Sequence, residues 1–158
     1  MKQYFKNMSY DRAREKAMRY CSYQERCVLD LEKRFYAWNV KNSDWDKILD
    51  YLIEEGFLNE NRYVVAFVRG KFRIKKWGKN KIKMGLMTKR TYDEKLFDTV
   101  FEAEIEEEDY LKTIKDLIGK KTLLINEDDE LKRRDKLYRY MLGKGYESEL
   151  IVKELNVT

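Results

Sequence analysis

The stretch Leu31-Glu32-Lys33-Arg34-Phe35-Tyr36-Ala37-Trp38-Asn39-Val40-Lys41-Asn42-Ser43-Asp44-Trp45-Asp46-Lys47-Ile48-Leu49 reads as helix, turn, helix. Leu31 and Phe35 are four residues apart, as are Trp45 and Leu49, and a spacing of four keeps side chains on one helical face. Val40 stands five residues from each pair, in the turn, behind Asn39, a residue that tolerates the left-handed backbone ending a helix. The same pattern returns 51 residues later at Ile82, Leu86, Thr91, Leu96 and Val100, and 55 residues after that at Leu137, Met141, Tyr146, Ile151 and Leu155. Fourteen of these fifteen positions are apolar or aromatic, and the exception, Thr91, is β-branched. The residue ahead of the central one is Arg90 in the second copy and Gly145 in the third. Glycine suits a left-handed turn; arginine adopts it less readily.

Working outward, each copy completes itself as three helices. In the first, a helix spans about 11–20, and a second starts at Ser22, which forms a capping-box pattern with Glu25, and runs to Ala37. A third runs from Ser43 to Gly56. Asn59 caps the next helix, which passes through Tyr63, Phe67 and Ile74 toward Trp77, and Gly78 breaks it. Helices over 79–88 and 92–102 follow, then a last triplet over 105–118, 127–142 and 146–155. Three helices with short turns bury little surface alone, so neighbouring units should stack. The expected fold is all-α, an elongated array of three three-helix repeats. Its modules are 1–58 with an N-terminal tail, a basic second module 59–103, and 104–158.

Composition agrees and excludes much. The 158 residues contain no proline, where average usage would give about eight. That favours helices joined by short turns over a loop-rich β-sandwich. Histidine is absent, which removes the histidine-based triads and dyads of hydrolases. Cys21 and Cys27 are the only thiols, too few for a structural zinc site and badly phased for a disulfide within one helical region, so both read as small hydrophobes in a reducing compartment. No apolar run approaches the ~20 residues of a membrane span, and residues 1–10 hold no signal-peptide segment, so the expected location is the cytosol. No catalytic residue, metal ligand or cofactor is expected.

Charge is unevenly placed. From Asn61 to Tyr92 there are eleven cations and no Asp or Glu, although the whole chain carries only +5. At ~100° per residue Arg62, Arg69, Arg73 and Lys76 fall within about 60° of one another. Tyr63, Phe67 and Ile74 lie farther round the helix as a core face. Lys75, Lys79, Lys81 and Lys83 extend the basic ridge, and Trp77 interrupts it. A basic ridge with an aromatic suits phosphate contact with base stacking, and equally suits docking on an acidic protein surface. The plainer alternative is a solvated face with Trp77 in the core.

Other features read as structure. Glu127-Asp128-Asp129-Glu130 lacks the spacing and glycine of a calcium loop, and at a helix start opposes the macrodipole. Glu102 to Asp109 is a charged helix junction, and Gly143-Lys144-Gly145 a turn rather than a phosphate loop. Of Tyr138, Tyr140 and Tyr146, one or two should be core.

The stretch Gly56-Phe57-Leu58-Asn59-Glu60-Asn61-Arg62-Tyr63, then Ala66-Phe67-Val68 and Lys76-Trp77-Gly78-Lys79-Asn80-Lys81-Ile82, resembles the central signature of the RecX family. Leu142-Gly143-Lys144-Gly145-Tyr146 with Glu149-Leu150-Ile151 resembles that family's last repeat, and Tyr20-Cys21-Ser22 to Leu31-Glu32-Lys33 its first. The sequence departs from the family pattern at Lys89-Arg90-Thr91, where a Lys-Gly-Ile-like turn is usual, and mildly at Trp38-Asn39-Val40. The resemblance implies three three-helix repeats and a small cytosolic regulator of the RecA recombinase. It further implies binding along the RecA filament on single-stranded DNA, interfering with growth, ATPase, strand exchange and co-protease activity. The partners so implied are the RecA filament and single-stranded DNA, with duplex DNA a further one; no membrane and a monomer are expected. Competing readings are a nonspecific single-strand binder acting without RecA, a helix-turn-helix regulator, and, more distantly, a metal-dependent enzyme.

Overall fold

Residues 6–157 are described in a computed structural model of the chain; residues 1–5 of the opening segment, and Thr158, lie outside the described residues. Nine helices are found among the described residues. They are α1 (Tyr10–Tyr23), α2 (Val28–Ala37), α3 (Asn42–Glu54), α4 (Glu60–Arg73), α5 (Lys79–Thr88), α6 (Glu94–Glu104), α7 (Glu107–Leu124), α8 (Glu130–Gly143) and α9 (Ser148–Val157). An isolated bridge between Met8 and Val40 is the β feature among the described residues. The chain is all-α and built of repeated three-helix units, as its apolar pattern predicts. By contacts it divides into two compact units, residues up to Ala66 with Lys89–Thr91, and Phe67–Thr88 with residues from Tyr92 onward.

In the first unit α1 and α2 both pack on α3. Ala13, Ala17 and Cys21, on one face of α1, meet Leu31, Phe35, Ile48 and Leu52 in a buried cluster. Small residues on α1 allow close approach, and each large side chain so buried contributes about 1.5–3 kcal/mol. The N-terminal segment is tied to the α2–α3 turn, since Met8 N donates to Asn39 O at 3.0 Å and Asn39 Nδ2 donates to Lys6 O at 3.2 Å. In the second unit α7, α8 and α9 pack on one another. Its core includes Val68, Phe72, Ile82, Leu86, Phe97, Ile114, Met141, Tyr146 and Ile151.

The repeat positions are where the pattern puts them: thirteen of the fifteen are buried, and Trp45 and Leu96 are half-buried. All three turns carry a left-handed residue ahead of the central one, with φ of 57° at Asn39, 57° at Arg90 and 97° at Gly145. Two of them share one hydrogen-bond scheme. Val40 N donates to Phe35 O at 2.9 Å and Asn39 N to Tyr36 O at 3.1 Å; Tyr146 N donates to Met141 O at 3.2 Å and Gly145 N to Leu142 O at 3.0 Å. These are Schellman-type endings, which satisfy the last carbonyls of the helix.

Two local expectations fail. Ser22 does not start α2: it lies within α1, where its hydroxyl donates to Met18 O at 2.8 Å. The start of α2 is instead held by the Cys27 amide donating to Asp30 Oδ2 at 3.2 Å, the backward half of a capping box. Ile74 is not core. The helix stops at Arg73, one residue short of it, and Ile74 is 78% exposed.

Candidate nucleic-acid interface

The basic segment is built by α4, a tight turn, and α5. Asn59 caps α4, accepting from Arg62 N at 2.9 Å. At the other end Lys76 takes the left-handed conformation, φ 58°, while Trp77 N donates to Lys71 O at 3.0 Å. This turn sends Lys75 and Lys76 to the surface and folds Trp77 back on the helices. Trp77 is half-buried, edge-on to Phe67 with ring centroids 6.5 Å apart. Gly85 of α5 makes room for this pair, because a Cβ there would fall 2.7 Å from Phe67 Cζ. Lys71 Nζ and Lys81 Nζ each stand 4.7 Å from the centroid of the Trp77 ring. Cation–π contact of this kind uses the ring face and leaves ammonium protons available.

The first amides of α5 have internal partners. Gly78 N donates to Lys144 O at 2.8 Å, Asn80 N to Gly145 O at 2.9 Å, and Lys79 N to the Tyr110 hydroxyl at 3.0 Å. The Tyr110 hydroxyl in turn donates to Glu147, and that of Tyr146 to Lys76 O at 2.8 Å. Burial, then the neighbouring Glu147, pushes both phenols well above the usual tyrosine range, so they stay neutral donors. The approach of backbone to backbone explains Gly78: a Cβ there would stand 2.5 Å from Gly145 O. A helix N-terminus often binds phosphate through free amides. This one is occupied by carbonyls and a hydroxyl, so any phosphate contact must come from side chains.

The nine residues predicted as a site are not equivalent. Arg73, Lys75 and Lys76 are exposed and, among the described residues, their side chains make no ion pair or hydrogen bond. With Trp77 and Lys81 they form one group around the α4–α5 turn. Lys79 and Lys83 turn toward α6: Lys79 Nζ lies 4.0 Å from Asp98 Oδ1, and Lys83 Nζ 5.6 Å from the Tyr92 ring centroid. Arg69 is engaged by Glu104 at 2.8 Å. Arg62 belongs to the first unit, where Nε meets Glu25 at 3.0 Å and Nη2 donates to Gly56 O at 2.7 Å. Two cations of the turn were not singled out from sequence. Lys71 sits one face of Trp77 away, and Lys144 Nζ donates to Lys75 O at 3.3 Å. Six residues before an aromatic across a helix end was a usable signal for the first; the second is a tertiary contact with no local signal.

The acidic runs behave as structure. Asp129 Oδ1 accepts from Lys132 N at 3.1 Å as the cap of α8, and Glu127 pairs with Lys136 at 3.2 Å. Glu102–Asp109 straddles the junction of α6 and α7. Tyr146 is core, and Tyr138 and Tyr140 are half-buried. Among the described residues no helix is long and apolar enough to cross a membrane.

Comparison with known proteins bears on this arrangement. Residues 59–90 match the family model for the second three-helix domain of RecX, and residues 107–153 match that for the third. A regulatory protein RecX of Clostridium botulinum is 34% identical over 118 residues, 72% of this chain and 54% of that protein. One of Clostridium acetobutylicum is 31% identical over 115 residues, 70% of this chain and 53% of its own length. The chain thus spans about half the length of these curated relatives. The crystal structure of RecX from Lactobacillus salivarius shares the fold, with a TM-score of 0.77, 20% identity, and coverage of 94% of this chain and 97% of that one. With the two domain models together accounting for half of its residues, and in the order the repeats demand, the chain belongs to the RecX family.

Proposed function

We propose that this chain is a cytosolic, non-catalytic regulator that binds the RecA–single-stranded DNA filament and inhibits its growth, ATPase, strand-exchange and co-protease activities. One observation carries the reading: in a chain of the RecX family, the α4–α5 turn presents Arg73, Lys75 and Lys76 without acidic partners, next to a half-buried tryptophan. In this reading the modules 1–58, 59–103 and 104–158 act as three linked contact units of a monomer. The basic one faces DNA or an acidic filament wall, and duplex DNA is a weaker partner. No chemistry is needed. A protein that binds filament better than free RecA shifts the assembly equilibrium by that difference in affinity.

The test is a double reversal, Arg73→Glu with Lys75→Glu, chosen because neither side chain has an internal partner whereas Arg69 does. The variant should keep its helicity and raise the concentration needed to inhibit RecA ATPase several-fold. Unchanged inhibition by the folded variant would remove this segment from the contact. The second reading, a single-strand binder acting without RecA, is favoured by the same cations. It predicts inhibition that disappears when DNA is in excess and a steep loss of binding with salt.

A further inference from the structure

The first unit carries a second basic face that the charge count along the chain hides. On α1, Arg12, Lys16, Arg19 and Tyr23 sit at offsets that place them within about 60° on the helix. That stripe lies about 130° round the helix from the buried stripe Ala13, Ala17 and Cys21. Arg12 and Arg19 are exposed, and Tyr23 is 86% exposed. The face continues onto α2. Lys16 Nζ stands 5.0 Å from the Trp38 ring centroid, Arg34 lies 4.8 Å over Tyr20, and Tyr20 meets Trp38 edge-on at 6.3 Å. Arg26 is a fixed member, 3.7 Å over the Tyr20 ring with Nε donating to Tyr20 O at 3.0 Å.

Among the described residues Arg12, Lys16, Arg19 and Arg34 form no ion pair. In the segment with eleven cations, by contrast, Arg62, Arg69, Lys79 and Lys89 each have an acidic partner. Aromatic rings hold Lys16 and Arg34 in place without using up their donors, as cation–π contact does. Successive cations on α1 are separated by about 4.5–6 Å of helix rise, a spacing that a flexible phosphate chain can follow. An acidic protein surface would accept the cations as well, but a row of cations at regular rise that ends in an exposed Tyr23 matches the repeat of a phosphate chain with a base beside it. A base stacks on such a ring.

We propose that this face of α1 and α2 is a second binding site for single-stranded nucleic acid, holding phosphates with Arg12, Lys16, Arg19 and Arg34 and a base on Tyr23. It deepens the reading above, by adding a nucleic-acid contact outside the α4–α5 turn, and its test does not need RecA. A fluorescein-labelled oligothymidylate is titrated with the full chain over a range of salt. Arg12→Glu with Arg19→Glu alters only exposed side chains, so the fold should be kept. It should lower the slope of log affinity against log salt by about 1.4, two single-strand phosphate contacts. Tyr23→Ala should weaken binding about fivefold or more at fixed salt. Lys47→Glu with Lys153→Glu makes the same change of net charge on exposed positions elsewhere, and should leave the slope near that of the wild type.

A slope for the Arg12/Arg19 variant equal to that of the control would overturn the proposal. So would a wild type that does not bind the oligonucleotide at all. If the variant loses grip on RecA filaments but not on the naked oligonucleotide, the face is a protein-docking surface and the proposal fails while filament regulation stands. If oligonucleotide binding falls as expected but RecA ATPase never responds to the wild type, the proposal stands and the filament reading fails.

Discussion

Arg90 holds a full side chain at φ 57°, in the turn position that Asn39 and Gly145 fill in the other two copies. A left-handed non-glycine residue costs about 1–2 kcal/mol, and glycine gives back about 0.5–1 of that as unfolded-state entropy. Arg90→Gly should therefore raise the unfolding free energy by up to about 1 kcal/mol, read as a higher urea midpoint with an unchanged slope. A lowered midpoint would mean that the arginine side chain contributes more than its backbone costs. Gly145→Ala should do the opposite by about 2–4 kcal/mol, because its φ is 97° and its Cβ would lie 2.5 Å from Lys81 N. Ionisable residues give the fold a defined pH window. Burial raises the Asp30 carboxyl, but hydrogen bonds from Lys89 and the Cys27 amide outweigh it, so the folded value is below the usual one. Its contribution is then whole above about pH 3.9, the unfolded value, and is lost as pH falls from there through the folded one. Burial pushes the Cys21 thiol up to about 11. That contribution is whole below about pH 8.5 and is lost as pH rises toward the folded value. Urea midpoints should be flat between, Asp30→Asn should flatten the acid limb, and Cys21→Ala should delay the alkaline one. Limbs that do not respond to these substitutions would contradict both assignments.

At the scale of elements, α5 is the revealing case. Its opening amides are held by Tyr110, Lys144 and Gly145. Tyr110→Phe removes the acceptor of Lys79 N and the donor to Glu147 together, and should destabilise by about 1–3 kcal/mol. Loss of helix signal confined to α5, read by amide hydrogen exchange at 79–82, should accompany it. Uniform protection across α5 in the variant would show that the hydroxyl is not what holds this end. None of this was legible in the sequence, because a carbonyl and a hydroxyl more than thirty residues away leave no local pattern. The helices themselves were legible, since Leu31, Ile82 and Leu137 and their partners at spacings of four are buried in every copy. Where local rules compete, the reading failed. Ser22 has the chemistry of a cap, yet α1 runs through it and its hydroxyl turns back to Met18 O. Ile74 continues the apolar phase of α4, yet the helix ends one residue earlier with Lys76 left-handed, so phase no longer applies.

For the whole molecule, the run of eleven cations was the loudest signal and an incomplete one. Charge along a chain says nothing of pairing. Folding commits Arg62 and Arg69 to Glu25 and Glu104, and leaves Arg73, Lys75 and Lys76 for a partner. It also leaves the α1 stripe without ion pairs, although Asp11 and Glu15 dilute it in sequence and Glu15 borders it, about 40° from Arg19 on the helix. The proposed regulator thus has two basic faces without acidic partners among the described residues, and its action depends on recognising a polymer rather than on a reactive group. RecA ATPase on single-stranded DNA, titrated with the chain at two DNA concentrations, tests this most directly. The account predicts that activity falls and that the midpoint follows the amount of RecA filament, with excess free DNA, which the chain binds more weakly than filament, shifting it by less than proportion. A midpoint that moves in proportion to DNA, or an ATPase indifferent to the chain, would contradict it.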